Sequence, residues 1–156
     1  MKKILISLFL FTAILAVSNA QDYNTGIGIR GGLYNGITFK HFIGQKAALE
    51  GILDTKDKGF MITGLYELHA NAFNTDRLNW YYGIGGHVGF WDGANVSWAD
   101  DNDSYTVIGV DGILGLEYNF NEIPINISID WKPAFNLAGY SGFWGDGAGL
   151  SIRYIF

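Results

Sequence analysis

Beyond residue 20 the chain alternates. In Ile125-Asn126-Ile127-Ser128-Ile129-Asp130-Trp131-Lys132 every second residue is large and apolar, and every intervening one is polar. That is the period-two signature of a strand with two unlike faces. The same alternation recurs and predicts about eight strands. The first, from about Thr25 to Tyr34, sets Ile27, Ile29 and Leu33 against Gly28, Arg30 and Gly32. Asn35-Gly36 then predicts a tight type I′ hairpin, whose central residues need positive φ. The second strand sets Ile37, Phe39 and Ile43 against Thr38 and Lys40, and after Gly44-Gln45 the third sets Leu49 and Leu53 against Glu50 and Ile52. A polar loop at 54–59 leads to a fourth strand, about Phe60 to Ala70, with Ile62, Tyr66 and Leu68 opposite Thr63, Glu67 and His69. The fifth has Trp80, Tyr82, Ile84, Val88 and Phe90 opposite Gly83, Gly85, His87 and Gly89. In the sixth, Ile108, Val110, Leu114, Leu116 and Tyr118 oppose Gly109, Asp111, Gly115 and Glu117. Pro133 cannot donate to a ladder, so the seventh strand should end near it. A Gly- and aromatic-rich loop, about 136–146, precedes a terminal strand with Leu150, Ile152, Tyr154 and Phe156 on one face and Gly149, Ser151 and Arg153 on the other.

About eight antiparallel strands of roughly nine to fourteen residues are long enough to cross a bilayer when tilted. A soluble barrel keeps its apolar face inside; a membrane barrel inverts that order. Here one face carries Arg30, Lys40, Glu50, Glu67, Asp111, Glu117, Asp130, Lys132 and Arg153, with His87 on the same parity. The signs are nearly balanced, as a narrow filled lumen requires, because buried charges are tolerable only when paired. The opposite face is Ile, Leu, Val and aromatics, which suits lipid. Trp80, Tyr82, Tyr118, Phe120, Tyr154 and Phe156 gather at one set of strand ends, and Phe60, Phe90, Trp91, Tyr105 and Trp131 at the other. Two such clusters fit paired interfacial girdles. The expected fold class is all-β: an antiparallel up-and-down transmembrane β-barrel of about eight strands.

Targeting agrees. Lys2 and Lys3, the apolar run from Ile4 to Val17 and the small residues Ser18-Asn19-Ala20 read as an export signal cleaved before Gln21. The expected organisation is a signal peptide over 1–20 and a single barrel over 21–156. The chain has 10 Lys+Arg, of which Lys2 and Lys3 fall in the leader, against 15 Asp+Glu. A mature formal charge of about −7 argues against nucleic acid as a partner. With no Cys, disulfides, thiolate chemistry and a lipid-modified cysteine are excluded. The combination of 22 Gly with 16% aromatics suits a curved β-structure with aromatic belts. No mature stretch is apolar for long enough to be a membrane helix, and a membrane-spanning chain without helices must close into a barrel.

The terminal strand, Leu150, Ile152, Tyr154 and Phe156 ending on an aromatic residue, resembles the C-terminal signature of bacterial outer-membrane β-barrels, which the barrel-assembly machinery reads as an insertion signal. With the strand pattern, the whole mature chain resembles the small eight-stranded barrels of the OmpX type and the membrane domain of outer-membrane protein A, and in particular the barrel-only members. The resemblance implies a multi-pass protein of the Gram-negative outer membrane, partnered by lipid and lipopolysaccharide and by the assembly machinery during biogenesis, monomeric and without a cofactor. With the C-terminus periplasmic, the 54–59, 92–103 and 136–146 connections face outward, and 44–45, 71–79 and 121–124 face the periplasm.

Candidate chemistry is sparse. A lipid A- or phospholipid-modifying acyltransferase or deacylase needs a nucleophilic Ser near a carboxylate-oriented His. His69 and His87 share the polar parity with Glu67 and Asp111, His41 does not, and Ser128 and Ser151 are the inward hydroxyls. No motif for either activity is present, and a His in a polar lumen is more often a hydrogen-bonding member of the filling. The expectation is therefore no enzyme and no catalytic residue. Asp92 with Asp100-Asp101-Asn102-Asp103 offers cation-binding oxygens without the glycine-centred spacing of a dedicated loop, so no metal site is expected. Tyr140, Phe143 and Trp144 in the last external loop form a candidate interaction surface or part of the outer girdle. Eight strands leave an interior just wide enough for side chains. The expected function is that of an outer-membrane barrel with a structural or surface-interaction role and a lumen filled by paired charges. A narrow, porin-like solute or ion pore is the second reading and lipid modification the third.

Overall fold

The computed structural model describes residues 22–56, 58–92, 104–139 and 141–156. Ten strands form: β1 Thr25–Gly32, β2 Asn35–Phe42, β3 Ala47–Lys56, β4 Gly59–Asn71, β5 Leu78–Asp92, β6 Ser104–Asn119, β7 Ile125–Trp131, β8 Ala134–Ala138, β9 Gly142–Trp144 and β10 Ala148–Ile155. They pair in the order β5-β4-β3-β2-β1-β10-β7-β6, and a β5–β6 ladder closes the ring. Both β7 and β8 pair with β6, one after the other, so together they make a single stave interrupted at Lys132-Pro133. Likewise β9 pairs β8 while β10 pairs β7 and β1. The result is a closed, eight-stranded, antiparallel up-and-down barrel. The proline break costs little, because the Pro133 carbonyl accepts from the Gly112 amide and the Lys132 amide donates to Gly147 O, each at 2.9 Å.

The wall is apolar outside and polar inside. Ile84 is 74% exposed on the outer face, whereas Lys40, Glu67 and Arg153 are 0% exposed inside. The expected parity holds along every strand, and it fixes the register: a slip by one residue would carry each charge to the outside.

Two local expectations are corrected. Asn35-Gly36 is not the centre of the first hairpin. The chain reverses at Leu33-Tyr34, and Asn35 and Gly36 already belong to β2 without positive φ. Gly36 lies between Arg30 of β1 and Asp54 of β3, and a Cβ there would overlap the Leu53 carbonyl. Its role is close strand approach, not a turn. The expected loop at 136–146 also contains order, since most of β8 and all of β9 lie within it and continue the seventh and eighth staves past Pro133.

Inside, three apolar clusters alternate with polar layers, as the spacing along single strands shows. Tyr23, Phe42, Ala48 and Ile155 cluster at the end that carries the chain termini. Ile52, Leu65, Tyr81 and Ile113 form a middle cluster. Met61, Trp91 and Val107 form the third at the far end, with Tyr34 and Trp144 packed against them. On β3, Glu50 falls between Ala48 and Ile52; on β6, Asp111 falls between Val107 and Ile113.

Candidate functional site: an ion-paired interior

In the layer nearer the termini, the Lys40 ammonium lies 3.2 Å from Glu50 Oε2, 2.8 Å from Glu67 Oε2 and 3.6 Å from Glu117 Oε2. It also sits 3.9 Å from the centroid of the Tyr81 ring, a cation–π contact in a desolvated setting. His69 bridges two of the same carboxylates, with Nε2 3.1 Å from Glu67 and Nδ1 3.3 Å from Glu117. Arg153 crosses this layer. It donates to Asn126 Oδ1 at 3.0 Å, Ser128 Oγ at 2.8 Å and Thr38 Oγ1 at 3.2 Å, and pairs with Glu50.

At the level of the middle cluster, Arg30 grips Asp130 with two parallel bonds of 2.7 and 2.5 Å, and the Tyr81 hydroxyl donates to the same carboxylate at 3.0 Å. Such fork-to-fork pairing holds both charge and orientation. In the upper layer Lys132 lies 3.3 Å from Asp111 Oδ1 and 3.5 Å from Thr63 Oγ1, and His87 Nδ1 lies 2.8 Å from Asp111 Oδ2. His87 Nε2 meets Asn136 Oδ1 at 3.0 Å, and its ring stacks on Trp144.

The structure thus places Arg30, Lys40, Glu50, Glu67, His87, Asp111, Glu117, Asp130, Lys132 and Arg153 together inside the barrel, all buried. Asp54 falls within β3 rather than in the expected 54–59 loop, and adds an interior charge. Asp54 continues the inward parity of Glu50 and Ile52, is 1% exposed, and has no hydrogen-bond partner on either carboxylate oxygen among the described residues. Two tyrosines, Tyr81 and Tyr23, also point into the interior. Burial, and then the Glu117 carboxylate, push the Tyr23 phenol well above its ordinary range, so it remains a donor.

Both ends are shut by apolar side chains. At the far end Trp91 and Trp144 meet edge to face at 5.7 Å. The cavity beneath them, lined by Tyr34, Met61, Lys132, Ala134, Trp144 and Asp146, holds about 10 Å³, room for about one water. The large hollows lie elsewhere. Two, of about 670 and 720 Å³, are apolar grooves on the outer wall, and one of about 560 Å³ sits at the terminus-side mouth.

Three girdle assignments are corrected. Trp91 shares parity with Gly89 and His87 and is buried in the interior, and Tyr105, its partner on β6, is half-buried on the inward parity of Val107. Trp144 is not a free external aromatic: β9 pairs it with Ala134, and that register turns its ring over His87. Phe143 is exposed as expected. Tyr140, the acidic stretch Asp100–Asp103 and the leader 1–20 lie outside the described residues. Among those residues no group of three or more His, Asp or Glu could hold a metal ion. The candidate serines are engaged by arginines, Ser128 by Arg153 and Ser151 by Arg30 at 3.4 Å. His69 and His87 bond carboxylates and Asn136 instead.

Leu150, Ile152, Tyr154 and Phe156 all lie on the outer wall. Phe156 closes the seam, exchanging two 2.8 Å backbone bonds with Thr25. No protein-family model matches the chain, and no curated protein matches it.

Proposed function

We propose that this protein is an integral barrel of the outer membrane, closed to solutes, with a structural or surface-interaction role. One observation carries the reading: the polarity of the wall is inverted, with apolar side chains around the whole circumference and the charges inside. In water so continuous an apolar belt would far exceed the few hundred Å² that a soluble monomer exposes; in a bilayer it is the required surface. The terminal strand with its outward Leu150, Ile152, Tyr154 and Phe156 supports recognition by the assembly machinery, and lipid and lipopolysaccharide are the partners of the belt. The shut ends and filled layers weigh against the pore. Surface interaction falls to the outward connections, where Phe143 is exposed.

The test is fractionation of the full chain expressed in a Gram-negative cell, paired with Ile84→Arg. The parent is expected in the outer-membrane fraction with heat-modifiable mobility, and the variant is expected to lose about 2–4 kcal/mol of stability in the bilayer. Recovery of the parent as a soluble protein, with the variant equally stable, would overturn the proposal.

A further inference from the structure

The residues just before β1 do not belong to the wall. Asp22, Tyr23 and Asn24 cross beneath the terminus-side mouth in no regular structure. Side chains hold them there. The Asp22 carboxylate accepts from Asn79 Nδ2 at 3.2 Å and Asn119 Nδ2 at 2.9 Å. Tyr23 reaches up through the mouth to donate to Glu117 Oε2 at 3.3 Å, and its ring meets Phe42 edge-on at 5.1 Å. The Asn24 carbonyl accepts from the Phe42 amide at 2.9 Å. Tyr23 is thereby one of the four side chains of the apolar cluster closing this end. Directly above it lies the layer of Lys40, Glu67 and Glu117.

What surrounds the segment gives it room to leave. Its outer side borders an open groove of about 560 Å³, with Arg77, Glu122 and Phe156 among the residues lining it. The wall itself closes without the segment, since the seam is made by the β1–β10 ladder and the Thr25–Phe156 bonds.

We propose that residues 22–24 are a displaceable strap that gates this mouth, opening as a unit while the barrel wall stays intact and admitting water and small solutes as far as the Lys40–Glu67–Glu117 layer. The inference does not depend on which compartment the mouth faces, so it stands or falls apart from the membrane reading, which Ile84→Arg tests.

The chain has no Cys, so a single Ser128→Cys in the layer above the strap gives one thiol to follow. The purified full chain, folded in detergent, is treated with a small cationic methanethiosulfonate. Slow labelling is expected in the otherwise unaltered chain. With Tyr23→Ala the rate should rise about tenfold or more, the change in an opening equilibrium that loss of one buried aromatic side chain produces. Tyr23→Phe, which keeps the ring but loses the bond to Glu117, should raise the rate by less than Tyr23→Ala does. Hydrogen exchange on the unaltered chain decides the matter even if Tyr23→Ala fails to fold. The Phe42 amide, bonded to the strap, should exchange well before the seam amides Thr25 and Phe156. Labelling indifferent to Tyr23→Ala, or Phe42 exchanging in one event with the seam, would overturn the strap.

Discussion

Arg153 illustrates how much one interior side chain ties together. Its guanidinium joins Thr38 of β2, Glu50 of β3, and Asn126 and Ser128 of β7, with Glu50 lying 103 residues away in the chain. Arg153→Met leaves Glu50 buried with Lys40 as its remaining cation, and should cost about 3–5 kcal/mol, as breaking a buried pair from one side does. Removing both partners, with Glu50→Gln added, should recover part of that. Arg153→Lys keeps the charge but not the fork of donors, and should lose about 1.5–3 kcal/mol. Urea midpoints in lipid vesicles measure all three, and an unshifted Arg153→Met would mean that the network carries no stability. The inward placement of Arg153 and Glu50 was legible in the sequence, because parity along each strand is a local property. Their mutual pairing was not, since it arises from closure of the ring. The tryptophans teach the same lesson in reverse. Residue type drew Trp91 and Trp144 to the interface, whereas the parity of Trp91 with His87 already pointed inward.

At the scale of the strand, glycines divide by what lies beside them. At Gly28, in the β1–β10 seam, a Cβ would overlap the Ile152 carbonyl, and a ladder backbone cannot step aside. Gly64, on the outer face of β4, has open space where its Cβ would be. Gly28→Ala should therefore destabilise by about 1–3 kcal/mol, as overpacking does. Gly64→Ala should stabilise by about 0.5–1 kcal/mol by restricting the unfolded chain. Heat-modifiable gel mobility against temperature separates them, and equal shifts in the two variants would refute the distinction. The number of strands, their faces and the break at Pro133 were all readable, since each depends on local alternation or on a missing donor. The first turn was misread because Asn-Gly is a turn signal only when the glycine is not needed elsewhere, and here Gly36 is needed against Leu53. The continuation of the seventh and eighth staves as β8 and β9 was hidden for a related reason: a pairing made across strands leaves little trace in a Gly-rich segment.

At the scale of the whole barrel, apolar and ionic layers alternate from one mouth to the other, and that order decides whether anything passes through. The strap and Phe42 close one end, Trp91 and Trp144 the other, and the middle is crossed by Ile52, Leu65, Tyr81 and Ile113. Opening one mouth leads only as far as the next layer. The full-length barrel in a planar bilayer should accordingly be electrically silent, and Tyr23→Ala should remain silent even where it speeds labelling of a thiol at position 128. Conduction should require the Trp91–Trp144 end to part and the middle layer to be emptied as well, the latter by Ile52→Ala with Leu65→Ala in the Tyr23→Ala background. Each of those two truncations costs about 2–5 kcal/mol, so folding must be verified by heat-modifiable mobility before a current is read. Discrete, salt-proportional steps from the unaltered barrel would mean that the layers part spontaneously, and would make it a narrow pore. Steps from Tyr23→Ala alone would place the whole barrier in the strap, and would show that the middle cluster packs the barrel without sealing it.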